Sequence, residues 1–339
     1  MKAIDKTIIF LVIVISIVGW TQMFQEHGPF ENSKINSVYD KIEMEVFFCP
    51  RDDCREELIY RIEQSEEIRC AFFDIDDDTL IKVLAENEAQ VVIDEDNAAE
   101  AGRYDMNIST AEGSGYMHNK FCVFDDDLIM TGSMNPTGNG MRKNNNNAIY
   151  ITSDKLAQNY LHKFEQMFKY NIFKDDDAER RPFQKIEDLD KGIWIENHFC
   201  PEDRCEAQIL RHIEQADDSI HFMTFSFTSK AIAEDIIEKM EEVRVKGIFE
   251  NWGAGSEWSQ YQTLNRLDTG NFIRKNIKGK MHHKVFIIDE KTIITGSYNP
   301  SKNANTNNDE NIVIIHDKEI SKEFLEEFNL VWDMNGSGQ

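Results

Sequence analysis

The chain is short of positive charge. Lysine and arginine number 37 against 62 aspartates and glutamates in 339 residues, a formal charge of −25. Like charges repel at long range, so this balance disfavours wholesale wrapping of nucleic acid or of an anionic membrane surface. It leaves room for an anionic substrate at a locally basic site, because distant carboxylates are screened beyond about 10 Å. Lysine and isoleucine remain plentiful, so the acidity is not read as adaptation to extreme salt. A hydrophobic content of 41% and an aromatic content of 11% supply a core, and the length suits one large domain or two ordinary ones.

Also absent is a small-x-small cleavage site after the apolar run at the N-terminus. That run, "TIIFLVIVISIVGW" (Thr7 to Trp20), is uncharged, follows Lys2 and Lys6, and precedes Glu26, His27 and Glu31. Counted through Phe24 it approaches the roughly 17–20 residues needed to span a bilayer. Trp20, Gln22 and Met23 are too bulky for signal cleavage. The expectation is a single-pass membrane anchor over residues 1–24 with the body outside the cytoplasm; the alternative is a cleaved signal and a secreted body.

What is present is a repeat. "MHNKFCVFDDDLIMTGSMNP" (Met117 to Pro136) and "MHHKVFIIDEKTIITGSYNP" (Met281 to Pro300) agree, without gaps, at ten of twenty positions. "VFFCPRDDC" (Val46 to Cys54) returns as "NHFCPEDRC" (Asn197 to Cys205), and "LIYRIEQSEE" (Leu58 to Glu67) as "ILRHIEQADD" (Ile209 to Asp218). The order is the same in both copies, so a whole unit is duplicated. The spacing predicts a linker at 25–41, a first lobe at 42–172, a linker at 173–191 carrying "KDDDAERRP", and a second lobe at 192–335. Each lobe reads strand, helix, strand, helix, strand, hairpin, strand and closing helix. The expected fold is α/β: two tandem lobes, each a mixed, mostly parallel sheet flanked by helices, related by a pseudo-twofold axis and sharing one site.

The polar residues kept in both copies suit phosphate chemistry. In His118-x-Lys120 and His282-x-Lys284, alternation along a strand puts imidazole and ammonium on one face. The hairpin return brings Gly132, Ser133 and Asn135 alongside, or Gly296, Ser297 and Asn299. Glycine lets backbone approach, while serine and asparagine bond phosphate oxygens. Two such sets facing each other would clamp one phosphodiester. No carboxylate cluster accompanies the motifs, so no metal or other cofactor is expected.

The pattern resembles the phospholipase D superfamily, whose signature is H-x-K-x4-D-x6-G-S. His118, Lys120, Asp125, Gly132 and Ser133 match it, as do His282, Lys284, Asp289, Gly296 and Ser297. The resemblance implies two lobes with one active site in a single chain, so that a monomer suffices, and metal-independent cleavage through a phosphohistidine. It lists both aspartates with the catalytic set. A carboxylate facing phosphate would repel it, so Asp125 and Asp289 read more naturally as structural partners. The tail Asn308, Glu310, Asn311 resembles the N-x-E-N of the nuclease and mitochondrial cardiolipin hydrolase branch; the first copy has Asn146 where Glu310 sits. Read within its own copy, Glu310 would support His282 as the nucleophile.

The substrate is nucleic acid or phospholipid. "RKNIKGKMHHK" (Arg274 to Lys284) makes a basic lip that suits a polyanion, and Trp252, Trp258 and Tyr261 could stack bases, dip into lipid or pack in the core. Cys49 with Cys54, and Cys200 with Cys205, share a Cys-x4-Cys spacing at a strand-to-helix junction. They are expected as disulfides, with a four-thiolate zinc site as the rival that the cardiolipin hydrolase resemblance suggests. Cys70 and Cys122 read as buried free thiols.

Overall fold

The computed structural model describes residues 37–175 and 178–334. In the first half, β2 (Glu43–Cys49), β3 (Ile68–Phe72), β4 (Gln90–Asp94), β5 (Asn107–Ala111), β6 (Lys120–Phe124), β7 (Leu128–Gly132) and β8 (Asn146–Thr152) form a seven-stranded sheet in the order β2-β8-β7-β6-β3-β4-β5. Strand β1 (Ser37–Tyr39) joins the other sheet. That sheet also holds β9 (Lys185–Asp188), β10 (Ile193–Cys200), β11 (Ser219–Thr224), β12 (Arg244–Glu250), β13 (Phe272–Lys275), β14 (Lys284–Ile288), β15 (Thr292–Gly296) and β16 (Glu310–His316), in the order β1-β9-β10-β16-β15-β14-β11-β12-β13. Strands β6 and β14 are buried at every position, which is why they read as continuous apolar runs rather than alternations.

Both sheets are mixed, but the expectation of mostly parallel pairing is corrected. Parallel pairing joins β3 to β4, β4 to β5, β11 to β12, β12 to β13 and β1 to β9. The other pairs are antiparallel, because the hairpins β6–β7 and β14–β15 and their neighbours β8 and β16 fold back directly. The segments expected as linkers also contribute structure: Ser37–Tyr39 and Lys185–Asp188 extend the second sheet.

Two long helices close the lobes. Helix Asp154–Tyr170 is capped by Ser153, whose Oγ accepts from Leu156 N at 3.1 Å; it buries Leu156, Tyr160, Phe164 and Met167 at helical spacing. Helix Lys318–Asp333 is capped by Asp317 and buries Ile320, Phe324, Phe328 and Val331. Both feed a central core to which the two lobes contribute together. Phe324 meets Phe48 of the first lobe at 5.1 Å between ring centroids, and Phe199 of the second meets Tyr160 of the first at 5.1 Å. Separate cores bury the helices Cys54–Gln64 and Asp78–Glu86 on the first sheet, and Cys205–Glu214 and Lys230–Lys239 on the second. The centre is also tied by charge. Lys163 of the first lobe reaches Glu202 at 2.7 Å and Asp309 at 3.2 Å, both in the second lobe and all buried. Burial works against the ammonium, but Asp309 and Glu202 outweigh it and hold Lys163 above its ordinary pKa.

Three disulfides close on themselves: Cys49–Cys54, Cys200–Cys205 and Cys70–Cys122. The last corrects the reading of free thiols. Antiparallel register sets Cys70 of β3 directly opposite Cys122 of β6, with Cα atoms 4.0 Å apart, a cross-strand relation hidden in the sequence. The expected N-terminal anchor and the body outside the cytoplasm are likewise corrected. Among the described residues no helix is long and apolar enough to cross a membrane, and residues 1–36, which include the apolar run, lie outside them.

Two outcomes follow. Alkylation of the unfolded protein without reductant leaves all six cysteines unmodified in intact mass; any uptake of label identifies an open pair. Lys163→Ala leaves Glu202 and Asp309 buried without their cation, and lowers unfolding free energy in urea by about 3–5 kcal/mol.

Candidate active site

The two histidines sit just before β6 and β14, where the chain leaves its own sheet and touches the other lobe. Met117 bridges to Asp309 and Met281 to Asn145. His118 N donates to Asp309 O at 2.9 Å, and His282 N donates to Asn145 O at 2.8 Å. Each histidine is thereby threaded beside the Asn-rich tail of the opposite copy.

The side chains continue the exchange. His118 Nδ1 lies 2.8 Å from Oε2 of Glu310, the second lobe's glutamate. His282 Nδ1 lies 2.8 Å from Oδ1 of Asn146, the first lobe's asparagine. The reading of Glu310 as the partner of His282 is therefore corrected: copies compared within one chain do not reveal that their tails are exchanged. Ser297 Oγ donates to Glu310 Oε2 at 2.6 Å and Asn308 Nδ2 to Oε1 at 3.0 Å. Ser133 Oγ donates to Asn146 Oδ1 at 3.0 Å, and Asn146 Nδ2 donates to Gly140 O, which fixes the amide's orientation. Both histidines thus meet an acceptor at Nδ1 and carry their proton there, which makes Nε2 the nitrogen for chemistry.

The next asparagines latch the lobes. Asn311 accepts from Thr131 Oγ1 at 2.8 Å and donates to Asn119 Oδ1 at 2.8 Å. Asn147 accepts from Thr295 Oγ1 at 2.9 Å and places its Nδ2 3.1 Å from His283 Nδ1. Sequence reasoning missed Asn119, Asn147, Thr131, Thr295 and His283; only a pairing of one copy with the other's tail would have singled them out. Gly132 and Gly296 have φ of 140° and 149°, and a Cβ there would run into Asn147 O or Asn311 O. The motif glycines therefore admit the strand that carries each histidine's partner.

Ser133 and Ser297 are fully buried, and each accepts from a backbone N–H, of Asn147 or Asn311, at 3.0 Å. They hold the partners of the histidines rather than facing an open site. Asn135 and Asn299 are half-buried, with Oδ1 enclosed and unpaired. Asp125 and Asp289 lie at the far ends of β6 and β14 and are not brought to the site. Asp125 accepts from Glu66 N and Glu67 N at 2.8 and 2.9 Å; Asp289 accepts from the backbone of Asp217, Asp218 and Ser219. Each clamps the turn that starts the lobe's second strand.

Lys120 Nζ donates to His118 O at 2.6 Å and Lys284 Nζ to His282 O at 2.8 Å, so each ammonium folds back beneath its own histidine. Lys284 Nζ also comes within 3.2 Å of His282 Nε2. Burial pushes Lys120 down to about 7; burial and the charge of Lys120 push Lys284 well below its ordinary value. Burial lowers His118 despite Glu310, and it lowers His282 strongly, helped by Lys284 and Lys120. Although burial opposes its charge, Glu310 stays below the usual carboxylate range because His118, Lys120 and Ser297 favour the anion. The arrangement offers two imidazoles, two lysines and one carboxylate in a buried cleft. Among the described residues no three His, Cys, Asp or Glu side chains converge to hold a metal ion.

A family model described as cardiolipin synthase, PLD-like domain, matches residues 33–168 and 209–332. The chain belongs to this phospholipase D-like family. The phospholipase D of Rickettsia felis is 31% identical over 129 residues, 38% of this chain and 64% of that protein. The mitochondrial cardiolipin hydrolase of Mus musculus is 32% identical over 135 residues, 38% of this chain and 58% of that protein. The match thus spans less than two thirds of either relative's length. A phosphatidylserine synthase structure from Haemophilus influenzae covers 84% of this chain and 86% of its own at a TM-score of 0.62 and 13% identity, a likeness of fold.

An anion entering the cleft favours the protonated form of both lysines. Sulfate, whose own charge is constant from pH 6 to 9, is expected to bind with proton uptake. Lys120 is cationic below about 7 and loses its proton above it, so affinity holds on the acid side and falls as pH rises. Isothermal titration in buffers of different ionisation enthalpy measures the uptake; affinity that rises with pH contradicts it.

Proposed function

We propose that the chain is a metal-independent phosphodiesterase that works through a phosphohistidine on His118. The observation that carries this reading is the 2.8 Å contact from His118 Nδ1 to Glu310. His118 Nε2 attacks phosphorus while Nδ1–H stays bonded to the carboxylate, which stabilises the positive charge that develops on the ring. The bond to the leaving oxygen breaks, and His282, charged once the anion is bound, gives its Nε2 proton to that oxygen. Water then gives a proton to the neutral His282, attacks phosphorus and releases His118. Asn146 supplies His282 only a neutral acceptor, so nothing holds its proton back. Lys120 and Lys284 supply the cationic charge that the nonbridging oxygens need. The amides of Asn135 and Asn299 are assigned to bond those oxygens through Nδ2.

Nucleic acid is the leading substrate. Its support is the basic run that precedes the second histidine in the chain: Arg274, Lys278 and Lys280 are exposed, and Lys280 stands 5.4 Å from Phe225, the ring that flanks His282. Phospholipid is the second reading, favoured by relatives named phospholipase D and mitochondrial cardiolipin hydrolase.

Acid-quenched reactions with phosphorus-labelled bis(p-nitrophenyl) phosphate test the roles. Label is expected on His118 and accumulates in His282→Ala, where the good leaving group needs no acid. Label on His282 in the His118→Ala protein reverses the assignment. Glu310→Gln is expected to lower kcat roughly 10²–10⁴-fold, the range that one oriented acid–base group supports. EDTA leaves the wild-type rate unchanged; a loss restored by zinc or magnesium rejects the metal-independent scheme.

A further inference from the structure

Aromatic rings lead outward from each histidine. In the first lobe Phe73 lies 5.0 Å from His118 and 5.2 Å from Tyr116, which is 44% exposed. In the second lobe Phe225 lies 4.6 Å from His282 and stacks on Trp252, centroids 6.0 Å apart and planes at 22°. Trp252 is 70% exposed, a large apolar face left to solvent. Lys280 stands 5.4 Å from the centroids of both Phe225 and Trp252, and Lys284 5.3 Å from Phe225. A ladder of ring, ring and cation therefore runs from the chemistry to the surface.

The ladder is built rather than accidental. Glu250 accepts from Trp252 N at 2.6 Å and from Gly253 N at 3.0 Å, which fixes the short turn Asn251–Ala254. A Cβ at Gly253 would run into Phe225 O, so only glycine lets the turn close on Phe225. The two rims differ in charge. Around Phe225 stand Lys280 and Lys284. Around Phe73 stand Lys120, 5.2 Å from its centroid, then Asp74, whose charge is felt at Lys120, and Asp76 beside it. Each ring carries its motif lysine; beyond it the second rim adds the cation Lys280 and the first adds two carboxylates, so a polyanion is favoured on the second lobe's side.

We propose that Phe225, Trp252 and Lys280 form the subsite for the leaving half of single-stranded nucleic acid, Trp252 stacking on a base next to the scissile phosphate. The inference rests on His118 as nucleophile, since the leaving group then departs on the side of His282. An exposed ring accepts an unpaired base without regard to sequence, and a cation beside it pairs with the adjoining phosphate. A base held in a duplex has no free face to offer. The acidic first lobe confines the strand to a short track, in keeping with a chain whose net charge repels extended polyanions.

The test compares a twelve-residue oligothymidylate, bis(p-nitrophenyl) phosphate and phosphatidylcholine vesicles, all in EDTA, with wild type, Trp252→Ala, Trp252→Phe and Trp258→Ala. Trp258 is 69% exposed and serves as the matched surface control. Trp252→Ala is expected to lose at least about 10-fold in kcat/KM on the oligonucleotide, the scale of one base–aromatic stack, and several-fold less on the small diester. Trp252→Phe recovers most of the loss, and Trp258→Ala stays within about 2-fold of wild type, the size of an ordinary surface change. Equal losses on oligonucleotide and small diester overturn the subsite. So does wild-type cleavage of vesicles without cleavage of oligonucleotide, which makes the ladder a lipid contact. Inactivity of wild type on all three, the small diester included, removes the proposed function itself.

Discussion

The molecule depends on a carboxylate that crosses from one lobe to the other. Glu310 is fully buried, and it stays anionic there because His118, Ser297 and Asn308 all address it. Burying a carboxylate is costly unless its lone pairs are filled, so this cluster requires both lobes to be in place at once. The neighbouring residues serve the same end. Asp309 meets Lys163 from the first lobe, and Asn311 bridges Thr131 and Asn119. Charge, hydrogen bonding and the shared aromatic core of Phe48, Phe324, Tyr160 and Phe199 all act across one seam.

The seam also explains why the site is tense before substrate arrives. Burial holds both lysines below their ordinary pKa and Lys120 lowers Lys284 further, while Glu310 is engaged with His118. A phosphodiester would bring the missing negative charge. Lysines fixed in place ahead of any anion meet the general condition for preorganised electrostatics. The duplication alone would make the two histidines equivalent; the exchange of glutamate for asparagine at one tail makes them different.

Much of this was legible in the sequence. The order of strands and helices follows from apolar periodicity, and the doubled His-x-Lys…Gly-Ser pattern marks the strands that carry the site. The charge argument for Asp125 and Asp289 leads away from the cleft, and they cap backbone at the far ends of β6 and β14. What was not legible is pairing across distance. The Cys70–Cys122 bond depends on strand register, and the exchange of tails depends on how two lobes face each other. Neither leaves a periodic trace along the chain. The balance of antiparallel over parallel strands failed for a related reason: alternating strands and helices suggest crossovers, but the second half of each lobe folds by hairpins.

Exchanged tails change what inheritance means for the two copies. After an ordinary duplication each copy can drift alone, because its own residues answer for its own chemistry. Here a substitution at position 146 is felt by the histidine of the other copy, and one at 310 likewise. Neither half owns a whole half-site. The lobes are joined in their history as firmly as in their core: a change in either must be tolerated by its twin, and the specialisation of one histidine is written in the sequence of the other.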